Sequence, residues 1–333
     1  MNKVNVAVVG ATGLVGQTML KVLKERNFPI DKLYLYASAR SKGKIINYNG
    51  KDYTVIELIV DNIAQDIDIA LFSAGASTSK EFAEEFVKKG AIVIDNSSCF
   101  RMDKDKTLIV PEVNADIIPD HGIIANPNCS TITVMPVLKY LSDTYGLKRV
   151  VYSTYQSVSG AGIQGLRDLD NNLKGEPSKK FDDDIAFNLI PYIDTFLESG
   201  NTKEEQKMID ESRKILNLPD LKVSATCVRV PVRYSHGVSV NVELKKDFKL
   251  EEVIDGLSKS NGVVVQSTNP PMPIHVEGKD ETYVGRIRRD DSVDFGLNLW
   301  VVADNIRKGA ATNAVQIAQE ILKKRSDTKW KKL

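Results

Sequence analysis

Val4-Asn5-Val6-Ala7-Val8-Val9-Gly10-Ala11-Thr12-Gly13-Leu14-Val15-Gly16 opens the chain with a β-rich apolar run that passes directly into three glycines spaced G-x-x-G-x-x-G. From Leu14 to Lys24 the apolar residues then recur at three- and four-residue intervals, so a strand, a tight turn and a helix follow one another. Glycine permits the sharp turn and a close backbone approach, and the free amides at the start of a helix receive a pyrophosphate. The arrangement predicts a dinucleotide site, with a plain tight turn as the alternative. In NAD-binding sheets the second strand usually ends in an acid that holds the ribose hydroxyls. The equivalent stretch here, Leu35-Tyr36-Ala37-Ser38-Ala39-Arg40-Ser41, has no acid and carries an arginine. Arg40 with the hydroxyls of Ser38 and Ser41 suits a 2′-phosphate and favours NADP; the other reading is a solvated loop arginine.

Further apolar runs follow at Leu33 to Tyr36, Ile67 to Phe72, Ile92 to Ile94 and Ile123 to Ala125, with a second helical pattern at Ser79 to Lys88. Strands without polar alternation are covered on both faces, which indicates a parallel α/β sheet. After Tyr145 the rhythm changes. Arg149 to Ser157 and Val223 to Leu244 alternate, as in a sheet with one wetter face, and helical patterns lie at Ile163 to Leu173 and Lys203 to Leu216. Gly175 to Asp184 reads as a loop, and Thr268 to Ile274, with three prolines, as extended chain. Thr312 to Lys324 is again amphipathic, and the basic tail Lys329, Lys331 and Lys332 reads as a solvated end. The expected fold is a parallel-sheet nucleotide-binding domain over residues 1–130, followed by an α+β domain with a mostly antiparallel or mixed sheet over 131–303. The last segment, about 304–333, is expected to return to the first domain.

The 333 residues contain 45 Lys and Arg against 44 Asp and Glu, so no broad field recruits nucleic acid or an anionic membrane. No apolar stretch approaches the ~18 residues of a membrane span, and no charged-then-apolar leader precedes Val4, which predicts a cytoplasmic protein with reduced thiols. Three cysteines and three histidines are too few for a zinc cluster of convincing spacing. Among them, Cys129 stands in Asn126-Pro127-Asn128-Cys129-Ser130-Thr131, between an apolar strand and a helical pattern. A thiol at a helix N-terminus is favoured as thiolate and becomes a nucleophile; buried packing is the alternative. Cys99 has no following helix and Cys227 lies inside a strand pattern, where a free cysteine is usually inert. His236, at a break between two alternating strands, ranks ahead of His121 and His275, which sit in loops. Arg229 lies among apolar neighbours and needs an anion, either an internal carboxylate or a ligand.

With these residues in hand, the chain closely resembles the aspartate-β-semialdehyde dehydrogenase family from end to end. The resemblance rests on Gly10 to Gly16, Ser38 to Ser41, Asp95-Asn96-Ser97-Ser98-Cys99-Phe100-Arg101, Val110-Pro111-Glu112-Val113-Asn114, Asn126 to Thr131, Gln156-Ser157-Val158-Ser159-Gly160, Arg229 to His236, and Asp304 to Gly309. Cys99 is the one place where a smaller or less reactive residue is expected. The resemblance implies a Rossmann-like NADP-binding domain joined to a catalytic and dimerisation domain. It also implies NADPH-dependent reduction of L-4-aspartyl phosphate to aspartate semialdehyde, with release of phosphate, in lysine, diaminopimelate, threonine, methionine and isoleucine biosynthesis. Cys129 is then the acyl-enzyme nucleophile, His236 the acid–base catalyst and Gln156 a residue that orients substrate. Arg229 binds the substrate carboxylate and Glu204 its amine. Arg101, Lys207 and Asn128 receive phosphate. Gly10, Thr12, Gly13, Leu14, Val15, Ser38, Arg40, Ser41, Ser159, Gly160 and Asn305 meet the cofactor. No metal is implied, and the partner is a second copy, in a dimer or tetramer.

Two enzymes of related chemistry compete. N-acetyl-γ-glutamyl-phosphate reductase needs no partner for a free ammonium, whereas Glu204 supplies one, and Asn128-Cys129-Ser130 stands where that family is expected to carry Gly-Cys-Tyr. Glyceraldehyde-phosphate dehydrogenase normally carries the ribose-binding acid missing here. A non-enzymatic NADP sensor explains the glycines and Arg40 but gives no reason for Cys129, His236 and two anion sites.

Overall fold

The computed structural model describes residues 3–327, with side chains through Arg325, so the basic tail Lys329, Lys331 and Lys332 lies outside the described residues. The chain divides into two compact units, Met1–Pro127 with Ala310–Leu333, and Asn128–Gly309. The first division falls three residues before the boundary expected from sequence and the second six residues after it, so Cys129 belongs to the second unit.

In the first unit the chain runs β1 (Val4–Val9), α1 (Leu14–Glu25), β2 (Ile30–Ala37), β3 (Ile45–Tyr48), β4 (Lys51–Thr54), β5 (Ile56–Glu57), β6 (Ile69–Phe72), α2 (Ala76–Lys88), β7 (Ile92–Asp95), β8 (Thr107–Leu108), α3 (Pro111–Asn114) and β9 (Ile123–Ala125). Seven strands form one sheet in the order β5-β2-β1-β6-β7-β9-β8. Every pair is parallel. Strand order reverses between β1 and β6, and ligands of open α/β sheets bind at such a point, beyond the carboxyl ends of the strands. Val6, Val8, Ile69, Leu71, Ile92 and Ile94 are buried, as residues covered on both faces must be. Each such side chain removed from water contributes roughly 1.5–3 kcal/mol. Hydrophobic periodicity misses β5 and β8 because two residues carry no period. The β3–β4 hairpin had a local signal: its loop is Asn49-Gly50, both at positive φ, the pair that a two-residue hairpin turn favours.

The second unit contains α4 (Cys129–Tyr145), β10 (Leu147–Gln156), α5 (Gly162–Asn172), α6 (Lys203–Leu216), β11 (Lys222–Arg229), β12 (His236–Leu244), α7 (Leu250–Ser258), β13 (Val263–Gln266), α8 (Pro273–Val276), β14 (Thr282–Asp290) and β15 (Gly296–Ala303). Its sheet is mixed, in the order β11-β10-β12-β15-β14-β13. β10 and β11 run parallel, which requires a long crossover, here through α5 and α6. β12 pairs antiparallel with both β10 and β15. Val238, Val240 and Val242 are buried while Ser239, Asn241 and Glu243 between them are not, which is the one-sided burial that their alternation predicts. The proline-rich segment differs from expectation at its end. Pro273 begins the short helix α8, because a proline at the first helical position has no amide to waste and already holds a helical φ.

The final helix, α9 (Thr312–Asp327), belongs to the first unit. Its Ala314, Val315, Ala318 and Ile321 share a buried cluster with Met19 and Leu23 of α1.

Candidate active site

Three neighbouring strands of the second unit end at one level and present side chains to one face. Gln156 closes β10 and Arg229 closes the parallel β11, where the two are register partners. His236 opens β12, with Gly237 opposite Tyr155 of β10. Buried positions alternate through Tyr152, Thr154 and Gln156, through Ala225, Cys227 and Arg229, and through His236, Val238 and Val240. The period of two therefore sets Gln156, Arg229 and His236 on the buried side of the sheet.

Cys129 is the first residue of α4, a 17-residue helix whose N-cap is Asn128. Oδ1 of Asn128 accepts hydrogen bonds from the amides of Ser130 (2.8 Å) and Thr131 (3.3 Å). Its own amide donates to Glu211 Oε2 at 2.6 Å, and its Nδ2 to Glu204 Oε1 at 2.8 Å. Two carboxylates of α6 thus grip the residue before the thiol, and the helix end favours negative charge on sulfur. Sγ lies 3.2 Å from Nε2 of His236.

His236 is fully buried. Burial, reinforced by the nearby Arg229 charge and only partly opposed by Glu204, pushes its pKa down to about 3. Nδ1 accepts the main-chain N–H of Ser157 at 3.0 Å, and Ser157 Oγ lies 3.1 Å from the same nitrogen. Ser235, just before it, sits at φ +69°, a region that non-glycine residues seldom occupy. The Ser235 amide donates to Asn305 Oδ1 (2.9 Å), which also accepts from Ser157 Oγ (3.0 Å) and Ser159 Oγ (3.2 Å). Asn305 thereby ties the β10 end to the β12 start.

Glu204 is the hub of the charged groups. Burial alone would raise its pKa, but Lys207 and hydrogen bonds from Asn128 and Gln156 outweigh it and hold the carboxyl below its ordinary range. Gln156 Nε2 donates to Glu204 Oε1 at 3.2 Å, and Lys207 Nζ reaches Glu204 Oε2 at 3.1 Å and Asp194 Oδ2 at 3.0 Å. Those two acids raise Lys207 despite the opposing effect of burial. Arg229 is different. It is 6% exposed, donates from Nη1 to the Ser157 carbonyl at 2.7 Å, and forms no salt bridge among the described residues. Its guanidinium lies 5.8 Å from the Phe181 ring centroid. The field of the Glu204 carboxylate favours the guanidinium without an ion pair to it, and a buried arginine so placed has room for a further anion. A Cβ on Gly160 would stand 2.8 Å from Arg229 Nη1 and 3.3 Å from His236 Cε1, so only glycine leaves that space open.

The residues assigned to the cofactor by sequence lie in both units. In the first, Gly10 has φ +84°, and a Cβ there would fall 2.4 Å from the Ser73 carbonyl, while one on Gly16 would fall 2.2 Å from the Gly10 carbonyl. The turn between β1 and α1 therefore folds only with glycine at both positions, and Gly13, the α1 N-cap, has no side chain to cover the helix amides. Thr12 Oγ1 lies 3.3 Å from Ser41 Oγ. Arg40 is exposed and makes no ion pair among the described residues. Backbone amides open at a helix start, with a guanidinium and hydroxyls beyond β2, fit a phosphorylated dinucleotide. Arg101 belongs to the same unit and donates to the main-chain carbonyls of Asn126 and Asn96, each at 2.9 Å. Ser159, Gly160 and Asn305 stand in the second unit, in the network around His236.

Sequence reading gave no role to Glu211, which holds Asn128, to Ser157, quoted only as part of a matched motif and here bonded to His236, or to Asp168, whose Oδ2 accepts three consecutive amides, Lys179 to Phe181. Nothing in a single sequence marks them: a serine or an acid in a helix reads the same whether solvated or buried. Cys227 is buried in β11 and its thiol is pushed up by burial, as an inert core cysteine should be.

Family models described as semialdehyde dehydrogenase, NAD binding domain, and semialdehyde dehydrogenase, dimerisation domain, match residues 5–121 and 138–308. An aspartate-semialdehyde dehydrogenase of Aquifex aeolicus is 55% identical over 332 residues, covering 96% of this chain and 98% of the relative. One of Bacillus subtilis is 46% identical over 338 residues, covering 96% and 97%. Among solved structures, aspartate semialdehyde dehydrogenase II of Vibrio cholerae complexed with ASA aligns with a TM-score of 0.93 at 47% identity, over 97% of this chain and 99% of that one. The Candida albicans enzyme with NADP aligns at 0.79 and 26% identity, over 98% and 100%.

Proposed function

The chain belongs to the aspartate-semialdehyde dehydrogenase family, NAD(P)-dependent oxidoreductases of amino-acid biosynthesis, and from that membership we propose how its residues perform the reaction. L-4-Aspartyl phosphate is reduced to aspartate semialdehyde, with release of phosphate, through a thioester on Cys129. The observation that carries this reading is the Cys129 sulfur at the head of α4, 3.2 Å from His236 Nε2, in a unit that also holds a buried arginine without an acid.

The Cys129 thiolate attacks the acyl carbon, the carbonyl electron pair moves to oxygen, and re-formation of the carbonyl expels phosphate. His236 meets that oxygen. Arg229 takes the substrate carboxylate with its planar fork, and Glu204, kept ionised, takes the ammonium. Gln156 orients the substrate through its bond to Glu204. Lys207, Arg101 and the remaining Nδ2 proton of Asn128 receive the phosphate. A nicotinamide dinucleotide, when bound, supplies or accepts the hydride at the carbon carried by Cys129. Gly10, Thr12, Gly13, Leu14 and Val15 would hold its pyrophosphate, and Ser159, Gly160 and Asn305 its nicotinamide end. Ser38, Arg40 and Ser41 make NADP the preferred form, in keeping with the NADP of the Candida albicans relative. The working form is a homo-oligomer, a dimer or tetramer. This is supported by the dimerisation-domain match and by exposed Phe187, Leu189, Phe196 and Tyr155 on the second unit.

The deciding assay is phosphate-dependent reduction of NADP and of NAD with aspartate semialdehyde, run beside the N-acetylglutamate semialdehyde analogue. Turnover with the free amine alone, and with NADP ahead of NAD, is the expected result. Preference for the acetylated analogue would overturn the substrate, and preference for NAD the cofactor.

A further inference from the structure

Arg229 is held by more than the Ser157 carbonyl. Its main-chain N–H donates to the Ile190 carbonyl and its carbonyl accepts the Ile190 N–H, each at 2.9 Å, so the backbone is bridged on both sides. Nine residues before Ile190, the Phe181 ring lies against the guanidinium, 5.8 Å from ring centroid to the guanidinium carbon, within the reach of cation–π attraction. The ring also packs on the buried cluster of Val158, Leu169, Ile185 and Ile190. Residues 181–190 therefore grip Arg229 at its backbone and at its fork. Between α5 and Ile190 this segment forms only turns and bends, so side chains must fix it. Asp168 of α5, 1% exposed, accepts the amides of Lys179, Lys180 and Phe181 on Oδ2 at 3.0, 2.6 and 3.0 Å. One turn later on the same helix face, Asn172 Oδ1 accepts the amides of Ile185 and Ala186 at 2.7 and 3.3 Å. Three successive N–H groups converging on one point form an anion-binding concavity, filled here by an acid of the same chain. All of these residues belong to the second unit.

We propose that Asp168 and Phe181 are positioning residues for Arg229: the Asp168 carboxylate anchors the segment that carries Phe181, and the Phe181 ring presets the guanidinium for the substrate carboxylate. The proposal rests on the reading of Arg229 as the carboxylate site. Neither residue has a part in the chemistry at Cys129; both act through the arginine. An arginine free to rotate loses rotamer entropy when it meets a carboxylate, and a fork fixed beforehand loses less. With Nη1 on the Ser157 carbonyl and the guanidinium against the ring, that orientation is set from two sides before an anion arrives. Asp168 suits the anchor because hydrogen bonds to an ionised acceptor are about twice as strong as neutral ones. A neutral amide in its place would hold the three N–H groups less firmly, and the ring would lose its fixed seat.

Asp168→Asn removes the charge but keeps the shape, and Phe181→Leu keeps an apolar side chain but not the ring. In each full-length variant the KM for aspartate semialdehyde should rise about tenfold while kcat stays within about twofold, and Phe181→Tyr, which restores the ring, should keep the native KM. In an Arg229→Lys background, Asp168→Asn should add less than about twofold to KM, because no fork is left to position. Full additivity there overturns the proposal. A second measurement needs no substrate. Phenylglyoxal labelling of the unliganded chain, read by peptide mass spectrometry, should find Arg229 about tenfold more reactive in Asp168→Asn and Phe181→Leu than in the native chain. Arg213 of α6, bonded to the Leu221 carbonyl, is the control that should not change. Equal labelling of Arg229 in native and variant chains overturns the proposal. Faster labelling with an unaltered KM upholds the clamp and refutes only the assignment of the substrate carboxylate to Arg229. Should Asp168→Asn fail to fold, Phe181→Leu, which leaves every amide bond to Asp168 in place, carries both measurements.

Discussion

The two arginines that the sequence singles out, Arg40 and Arg229, stand in opposite environments. Arg40 follows β2 in the first unit, exposed, on a three-residue turn beside two serines. Arg229 ends β11 in the second, buried, against a main-chain carbonyl and an aromatic ring. Neither has a carboxylate partner among the described residues, but the physical meaning differs. An exposed guanidinium is already solvated by water, so a phosphate gains only the difference between two good environments. A buried one has lost its water and awaits an anion, so the ligand that supplies it is selected strongly. On the proposed reading, one unit would read its ligand mainly through backbone amides and glycine geometry, with Arg40 adjusting the choice, and the other through desolvated side chains held by a hydrogen-bonded hub.

That contrast can be broken at several points. The largest effect should come from Cys129→Ala, which removes the acyl carrier: turnover falls at least about 10⁴-fold while NADP titration by fluorescence is unaltered. Residual turnover near the native level would dissociate the thiol from the chemistry. Next, Arg229→Lys keeps the charge but loses the fork in a dry site, and the KM for aspartate semialdehyde should rise about 100-fold. An unchanged KM would make Arg229 a structural residue. Arg40→Ala, in contrast, should weaken NADP by only about tenfold and leave NAD kinetics as they were. If both cofactors weaken equally, Arg40 acts on the turn and not on a 2′-phosphate.

The remaining expected effect is on stability and not on turnover. Burial brings the His236 pKa down to about 3 in the folded protein, against an ordinary value of 6.5. Between these values the unfolded chain binds the extra proton, so the stabilisation present above pH 6.5 is lost as pH falls toward 3. Chemical denaturation should show a slope of up to about 1.4 kcal/mol per pH unit from this group in that window. In His236→Gln this component of the slope should vanish, and its persistence would assign the slope to other titrating groups.

Much of the first unit is legible in one dimension. Val4 to Gly16 carries strand, turn and helix in contiguous residues, because every interaction that shapes it is local or depends on burial of a whole strand. The two-residue strands β5 and β8 are not legible, since their pairing is made only by neighbours distant in sequence. In the second unit the alternation of Val238, Val240 and Val242 is as plain as the valines of β1. The partners of Glu204 are not, because Asn128 and Gln156 come from 76 and 48 residues away.

By itself the sequence determined the residue types for the chemistry: a cysteine at a helix start, a histidine at a strand start, glycines where a Cβ cannot fit, and no acid after β2. These follow from local backbone demands and from periodicity, which a chain carries in its order. Only the tertiary structure decided that Arg229 has no carboxylate partner among the described residues and that Glu204 does not stand alone. It alone also decided that the Ser157 amide reaches His236 from 79 residues away. Charge state and tautomer depend on desolvation and on which donors face which lone pairs, and those are properties of packing between segments far apart in the chain.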